Sequence, residues 1–264
     1  MNKSVIHILS LIYLLNCFIL GSANAASMSD LDKEKRWEEQ IVDSIMVGED
    51  VKLKAGSVDF LALYTEPTTD KDKGAVILLH GLGVHPAWPD VIEPLRMRLP
   101  DLGWHTLSLQ MPVLENEAKE TDYSPLFPEV PLRIQAGVDF LKEKGINNIV
   151  LSGHSLGATM ASFYLSSNRD PIIKRFVILS GGPGLPDNKQ MDSLENFRKM
   201  KGIDIADIYG SEDLKYVLDT VQHRKVFGKQ QFGKHYRNYR VEGANHFYRD
   251  KESELIHVIS EWLN

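Results

Sequence analysis

Apolar runs and helical patterns alternate along most of this 264-residue chain. Three predicted strands, at 75–79, 148–152 and 175–179, have apolar centres without polar alternation, which is typical of strands buried on both faces of a sheet. Between them, apolar residues recur at intervals of three or four, which predicts helices with one buried face. The alternation predicts one α/β domain, with a mostly parallel sheet and helices on both faces.

The remaining elements extend this pattern in both directions. Residues 51–64 contain alternating stretches around a Gly-Ser pair, which predicts an antiparallel hairpin at the sheet edge. Further strands are predicted at 104–111, 203–209 and about 236–241, and helices at 91–99, from 131 to about 141, at 156–167 and at 255–263.

Residues 1–25 have the pattern of a secretory signal peptide. An apolar stretch at about 5–20 follows a basic start, and Ala23-Asn24-Ala25 supplies the small residues of a cleavage site. The stretch approaches the ~20 residues of a membrane-spanning helix, so an uncleaved anchor is the alternative. His7 and Asn16 interrupt the stretch and favour cleavage. We therefore expect a periplasmic or secreted protein with no membrane span in its mature form.

The composition is that of a folded domain, with 43% hydrophobic and 25% charged residues. With 30 basic against 36 acidic residues the net charge is −6, which argues against binding to nucleic acid or to an anionic membrane. The single cysteine, Cys17, excludes a disulfide framework and a thiolate metal site. Residues 26–40 are charged and lack an apolar stripe, so we interpret them as a linker or a loose first helix before a domain at 41–264.

A G-x-S-x-G pattern occupies residues 153–157, between a predicted strand and a predicted helix. At such a turn the serine backbone is strained and its hydroxyl is exposed, and the flanking glycines let strand and helix approach. Ser155 is therefore the candidate nucleophile. The backbone N–H of Leu156 is a candidate oxyanion donor, because it directly follows the nucleophile at a helix N-terminus.

A serine hydroxyl needs a base to activate it, and the base needs a partner that orients it. His246 is the candidate base because it lies in a loop of small residues between the last strand and the last helix, whereas His223 and His257 fall within predicted helices. Asp213 is the candidate acid because it follows a strand whose carboxyl end lies at the ligand-binding edge of such a sheet. The alternatives are a loop histidine without a catalytic role and a carboxylate that caps the next helix.

The segment His80-Gly81-Leu82-Gly83 follows the first buried strand. We call it the oxyanion loop, because its glycines allow the backbone to approach a substrate, and we assign the second donor to the N–H of Leu82. His80 is interpreted as a structural hydrogen-bond donor beneath the loop. Its spacing from His85 and Asp90 matches no metal motif, and we predict neither a metal nor a cofactor.

These motifs, in this order, resemble the α/β-hydrolase superfamily over residues ~75–264. The resemblance implies an eight-stranded sheet, a Ser-His-Asp triad, and hydrolysis of an ester or thioester through an acyl-enzyme. The block at 79–111 is similar to a branch of uncharacterised exported bacterial members, which supplies no substrate. The expected partner is a small-molecule or lipid-like ester, and the oligomeric state stays open.

Two segments bear on the substrate. Residues 181–202, where such folds often carry a lid domain, are short and polar, which predicts only a short lid segment and argues against an interface-activated lipase. Residues 112–130 are acidic and either line the site entrance or form a solvated loop. The competing hypothesis for the whole chain is a non-catalytic binding or assembly protein of the cell envelope that retains the fold.

Overall fold

Eight strands form one sheet in the computed structural model, which describes residues 27–167 and 169–264. The predicted signal peptide, residues 1–25, lies outside these ranges. The strands are β1 (Glu49–Ala55), β2 (Val58–Thr65), β3 (Ala75–Leu79), β4 (His105–Leu109), β5 (Ile149–His154), β6 (Ile173–Leu179), β7 (Asp204–Glu212) and β8 (Tyr236–Asn245). Their order is β1-β2-β4-β3-β5-β6-β7-β8. The β1–β2 and β2–β4 pairs are antiparallel and the other pairs are parallel, which confirms the predicted sheet.

Helices cover both faces of this sheet. They are α1 (Leu31–Val42), α2 (Ile92–Arg98), α3 (Val130–Glu143), α4 (Leu156–Ser167), α5 (Ser193–Lys199), α6 (Lys215–Phe232) and α7 (Glu252–Leu263). Ile77 of β3 packs in the core cluster that contains α3 and α4, and its neighbour Leu78 packs in the cluster that contains α2 and α7. Because both faces of β3 are covered, the strand needs apolar residues at every position. Within the described ranges, no helix has the length and apolar character needed to cross a bilayer.

The first helix decides between the two interpretations of residues 26–40: the charged linker is corrected, and the alternative, a first helix, is confirmed for residues 31–40. Helix α1 begins after Asp30, whose side chain accepts a hydrogen bond from the Lys33 N–H at 2.9 Å, and it packs on β2 through Ile41. Its charged residues concealed the helix because two of them are buried and paired. Lys33 Nζ donates to the Leu114 carbonyl at 2.7 Å, and Glu34 accepts from Arg133. Residues 31–42 therefore form a helix of the folded unit.

The segment at 181–202 is a short cap that is fixed to the domain. It contains α5, whose Phe197 joins the core, and the side chain of Met191 is fully buried. The Ser193 hydroxyl lies 3.0 Å from that of Thr159 in α4. These anchors hold the segment that follows β6 against α4, close to the carboxyl edge of the sheet.

Candidate active site

Ser155 lies at the sharp turn between β5 and α4, with a positive φ of 54°. The two glycines of the motif are needed for steric reasons. A Cβ on Gly153 would lie 2.4 Å from the carbonyl oxygen of Gly157, and a Cβ on Gly157 would lie 2.4 Å from that of Leu79. Any larger residue at either position would push strand and helix apart.

The structure brings the three predicted side chains together in one hydrogen-bonded chain. His246 Nε2 lies 3.0 Å from Ser155 Oγ, and His246 Nδ1 lies 2.6 Å from Asp213 Oδ1. Asp213 follows β7 and His246 follows β8, so both reach Ser155 from the carboxyl ends of their strands. Both side chains are buried. A carboxylate at Nδ1 fixes the tautomer in which Nε2 can accept a proton from the serine.

Asp213 is held by several donors besides His246. Its Oδ2 accepts from the Ser180 hydroxyl at 2.5 Å and from the Gly210 N–H at 3.2 Å, and its Oδ1 accepts from the Leu214 N–H at 2.8 Å. Burial favours the neutral acid, but the hydrogen bonds from His246 and Ser180 outweigh it and lower the pKa of Asp213. The cap position of α6 is Leu214, and no side chain caps that helix, so Asp213 is not an N-cap.

Ser180 was not identified from the sequence, although it ends a strand beside β5. Its side chain is fully buried and its φ is 49°, a left-handed conformation that serine rarely adopts. Behind it, the Tyr248 hydroxyl lies 3.1 Å from Ser180 Oγ and donates to the Ile208 carbonyl at 3.1 Å. Serine at the carboxyl end of a buried strand was the available signal, because parallel strands end at the same edge.

His154, the residue directly before the nucleophile, supports the base. Its Nε2–H donates to the backbone carbonyl of His246 at 2.9 Å, and the two rings lie 4.9 Å apart. Burial, together with the nearby charge of His246, lowers the pKa of His154 to about 4. The neutral ring therefore holds the loop that carries His246, and no feature of the local sequence distinguished this residue.

His80 has the structural role predicted for it. Its Nδ1–H donates to the Gly81 carbonyl at 2.9 Å, and its Nε2 accepts from the Met111 N–H at 2.9 Å. Burial lowers the pKa of His80 to about 3, so the ring stays neutral with the proton on Nδ1. The loop above it lies against the nucleophile, since a Cβ on Gly81 would lie 3.4 Å from the Ser155 Cβ.

Of the two predicted oxyanion donors, Leu156 directly follows Ser155 in the chain and Leu82 lies beside it in space. Leu156 is the first residue of α4, so its N–H has no acceptor within the helix. Leu82 follows Gly81, which packs beside Ser155. Among the residues that the structure describes, neither N–H donates to another protein atom. Both amides are therefore free to bind a ligand oxygen.

The rim of the site is partly apolar. Leu82, Leu214 and Tyr216 are each between 38% and 43% exposed. The Tyr216 ring lies 6.3 Å from that of His246, edge to face. Burial raises the pKa of Tyr216, a hydrogen bond with Ser155 opposes this, and the charge of Glu120 raises the pKa further. The negative charge of Glu120 therefore acts on the rim at Tyr216.

The acidic segment at 112–130 was interpreted either as lining the site entrance or as a solvated loop, and different residues of the segment fit each interpretation. It contains a 3₁₀ helix, Glu120–Glu129, whose Tyr123 and Phe127 are fully buried. Most of its carboxylates are exposed, as in a solvated loop, whereas Glu120 is half-buried and burial raises its pKa. Glu129 accepts hydrogen bonds from the N-terminal segment of the domain. Among the carboxylates of this segment, Glu120 is the one whose charge raises the pKa of Tyr216 at the rim.

Apart from Asp213 and His246, the histidines and carboxylates in the described part of the protein form no metal centre. No three His, Cys, Asp or Glu side chains there are grouped so that they could hold a metal ion. Asp90 is paired with Arg249 at 2.9 Å and accepts from the Trp88 indole at 3.1 Å.

Solved structures with the same fold are α/β hydrolases. An alpha-beta serine hydrolase homologue from Coxiella burnetii is 16% identical with a TM-score of 0.62, over 83% of this chain and 99% of that one. A dienelactone hydrolase from Anabaena variabilis is 19% identical with a TM-score of 0.62, over 81% and 95%. The Pyrococcus furiosus esterase Pf2001 is 20% identical with a TM-score of 0.62, over 81% and 91%. Likeness at these identities is evidence for the fold.

The eight-stranded architecture, with a serine at the β5–α4 turn, gives this protein the α/β-hydrolase fold. Its sequence family is also clear. The chain belongs to the family described as "Protein of unknown function (DUF3530)", whose sequence model matches residues 22–131 and 116–264. No curated protein matches the chain.

Proposed function

We propose that this protein is a serine hydrolase that cleaves a carboxylic ester or thioester through an acyl-enzyme. The observation that carries the proposal is the continuous chain of hydrogen bonds from Asp213 through His246 to Ser155. Its distances suit proton transfer from the hydroxyl to the imidazole. The surrounding groups, a buried carboxylate below and two free backbone amides beside the serine, complete what acyl transfer requires.

In the proposed reaction, His246 Nε2 takes the proton of Ser155 as Oγ attacks the substrate carbonyl. The N–H groups of Leu82 and Leu156 bind the oxyanion, and each such donor typically contributes about 3 kcal/mol to the transition state. Collapse breaks the bond to the alcohol or thiol, which leaves with the proton from His246. Water then attacks the acyl-enzyme by the same route, and Asp213 stabilises the imidazolium in both halves.

The substrate proposed is a small or lipid-like ester. The half-exposed apolar rim of Leu82, Leu214 and Tyr216 suits an uncharged acyl or alcohol group. The carboxylate of Glu120 near this rim disfavours anionic acyl groups. An esterase and a dienelactone hydrolase among proteins of the same fold support the choice of an ester.

The decisive test is labelling of the folded protein with a fluorophosphonate probe, which reacts with activated serines. We expect the wild-type protein to be labelled at Ser155 and Ser155→Ala to be unlabelled. The same variant should lower turnover of a short-chain nitrophenyl ester by at least ~10³-fold. Thioesters tested alongside decide whether the enzyme prefers an ester or a thioester.

Comparison with the Ser155→Ala variant can also contradict the proposal. If folded wild-type protein reacts with neither the probe nor the esters above the level of this variant, the hydrolase assignment is wrong. A non-catalytic binding protein that retains the fold would then be the better hypothesis.

We further propose that the mature protein is exported, to the periplasm or beyond the cell. The support is the pattern of residues 1–25, with its basic start, apolar stretch and A-x-A site. Sequencing the N-terminus of the protein recovered from the native cell envelope tests this. We expect the chain to start at Ala26, whereas an intact N-terminus in the membrane fraction would indicate an uncleaved anchor.

A further inference from the structure

The residues directly after the predicted cleavage site bind the segment that follows β4. The Asp30 N–H donates to the Val113 carbonyl at 2.8 Å, and the Ser29 hydroxyl accepts from the Val113 N–H at 2.8 Å. The Met28 N–H donates to Glu129 at 2.7 Å. Residues 27–34, which we call the N-terminal segment, are thus fixed to the chain between β4 and α3.

The strongest contact of the N-terminal segment is a buried ion pair. Arg133, fully buried on α3, donates from Nη1 and Nη2 to the two carboxylate oxygens of Glu34, at 2.8 and 2.9 Å. Ser29 also donates to Glu34. Glu129 lies farther from the guanidinium, at 3.7 Å. A buried guanidinium without a carboxylate partner is costly, so Glu34 determines where Arg133 is held.

From Arg133 a continuous path of hydrogen bonds leads to the oxyanion loop. Arg133 Nη1 donates to the Gln110 carbonyl at 2.9 Å, and Gln110 Nε2 donates to His80 Nε2 at 3.1 Å. His80 Nδ1–H donates to the Gly81 carbonyl at 2.9 Å, and Gly81 packs beside Ser155. Every side chain in this path is buried.

The oxyanion loop depends on hydrogen bonds from the residues beneath it, because its own side chains do little to fix its position. Two of its residues are glycines, and the Leu82 side chain is 38% exposed. Oxyanion donors must be placed to within a fraction of an ångström, since a misplacement of ~1 Å costs on the order of 100-fold in rate. The Tyr123 hydroxyl, which accepts from the Leu114 N–H at 3.1 Å and lies 3.9 Å from where a Cβ on Gly83 would be, is a second support from the same part of the chain.

We propose that Glu34 and Arg133 are positioning residues for the oxyanion loop, so that the N-terminal segment completes the active site. The inference rests on the proposed hydrolase function for its kinetic consequence. Its structural content, that the ion pair holds residues 80–83 in place, can be measured independently of any activity.

The kinetic test compares Glu34→Gln and Arg133→Met with Asp207→Asn. Asp207 forms a similar buried pair with Arg224, at 3.0 and 3.1 Å, that does not contact the path to His80. We expect Glu34→Gln and Arg133→Met to lower kcat about 10-fold per fluorophosphonate-titratable site, with KM changed less than about 2-fold. Asp207→Asn should lower stability as much but leave kcat per titratable site unchanged.

A double variant separates positioning from general stability. In Glu34→Met/Arg133→Met no unpaired buried charge remains, so thermal stability should recover towards the wild-type level. If the pair positions the loop, kcat stays low, because the Gln110 carbonyl has lost its donor. Recovery of kcat together with stability would overturn the proposal. Ser29→Ala, a milder change, keeps the test valid if the other variants do not fold, and should lower kcat severalfold.

Amide hydrogen exchange provides the readout that needs no activity. We expect exchange at residues 80–83 to be at least ~10-fold faster in Glu34→Gln than in the wild-type protein, and unchanged in Asp207→Asn. If the wild-type protein proves inactive but this difference appears, the hydrolase assignment fails and the positioning stands. Equal exchange at residues 80–83 in all three proteins, or equal kcat per titratable site, refutes the role of the ion pair.

Discussion

Ser155 has a left-handed backbone, with φ at 54°, because its motif turns directly from β5 into α4. For a residue with a Cβ this conformation costs about 1–2 kcal/mol. The strain is offset by the packing of strand and helix around it, and it places Oγ 3.0 Å from His246 Nε2. The position that is costly for folding is therefore the one that exposes the hydroxyl to its base.

This strain predicts that Ser155→Gly is more stable than Ser155→Ala. Both variants lose the nucleophile, but glycine adopts a positive φ without the steric cost, and its greater freedom in the unfolded chain offsets only part of the gain. We expect a difference of about 1 kcal/mol in the free energy of unfolding, measured by urea denaturation. Equal stabilities would mean that the turn relaxes when the hydroxyl is removed.

Also at the scale of single residues, we expect Ser180 to help set the pKa of the Asp213 carboxyl. Ser180→Ala removes the donor to Asp213 Oδ2, and hydrogen bonds to charged groups contribute about 1.5–3 kcal/mol. We expect kcat to fall about 10-fold with little change in KM. The pKa of Asp213 should rise, because one of the bonds that lower it is lost.

The control for this prediction is Ser162→Ala. Ser162 is also buried, but its hydroxyl donates to the Thr159 carbonyl within α4 and not to the site. Kinetics of the two variants on one ester decide the point. If both behave like the wild-type protein, Ser180 does not contribute to catalysis.

Among the elements, α4 packs closely against the sheet at Gly157. A Cβ on Gly157 would lie 2.4 Å from the carbonyl oxygen of Leu79 and 2.5 Å from that of His80, both of which are backbone atoms that cannot move aside alone. In contrast, a Cβ on Gly137 in α3 would meet the ends of two flexible side chains, Leu109 at 3.0 Å and Leu107 at 3.3 Å.

We therefore expect Gly157→Ala to destabilise the protein by about 2–3 kcal/mol and Gly137→Ala to have much less effect, since alanine also favours the helix. Because His80 begins the oxyanion loop, Gly157→Ala should also reduce ester turnover of the molecules that remain folded. Thermal unfolding followed by circular dichroism measures the first effect. A neutral Gly157→Ala would show that α4 can shift away from β3.

Helix α1 shows why the sequence can leave a helix undecided against a linker. Residues 26–40 lack an apolar stripe because the helix buries an ion pair and a lysine that binds a backbone carbonyl, in addition to Ile41. Hydrophobic periodicity detects helices that bury apolar faces. A helix whose buried face is polar can be recognised only when its partner is known, and Arg133 is 99 positions away.

For the molecule as a whole, two buried neutral histidines make stability depend on pH. Burial lowers the pKa of His154 to about 4 and that of His80 to about 3, from the usual 6.5. Between these values and pH 6.5 the unfolded chain binds more protons than the folded protein. Their contribution to stability is therefore fully present above about pH 6.5 and is lost as the pH falls towards 4.

We expect His154→Gln to reduce the loss of stability between pH 7 and pH 4 by roughly 3 kcal/mol. Glutamine can still donate to the His246 carbonyl, so the variant should fold. The measurement is urea denaturation at a series of pH values, with His223→Gln, an exposed substitution on α6, as the control. An unchanged slope in His154→Gln would mean that His154 is protonated in the folded state.

The sequence by itself determined the features that arise from local physics. Apolar runs without alternation identified the buried strands, and the Gly-flanked Ser155 identified the turn, because sterics at that turn exclude larger neighbours. Chain order and loop composition were enough to choose Asp213 and His246. Their meeting follows from the rule that parallel strands end at one edge of the sheet.

Only the tertiary structure decided which polar groups are paired across the fold. Ser180 binds Asp213, His154 binds the His246 carbonyl, and Glu34 binds Arg133, over separations of 33, 92 and 99 positions. Each pair depends on strand order and on the packing of helices from distant parts of the chain. Such contacts have no periodicity and no fixed spacing in the sequence, because each partner is selected by its position in space and not by its neighbours in the chain.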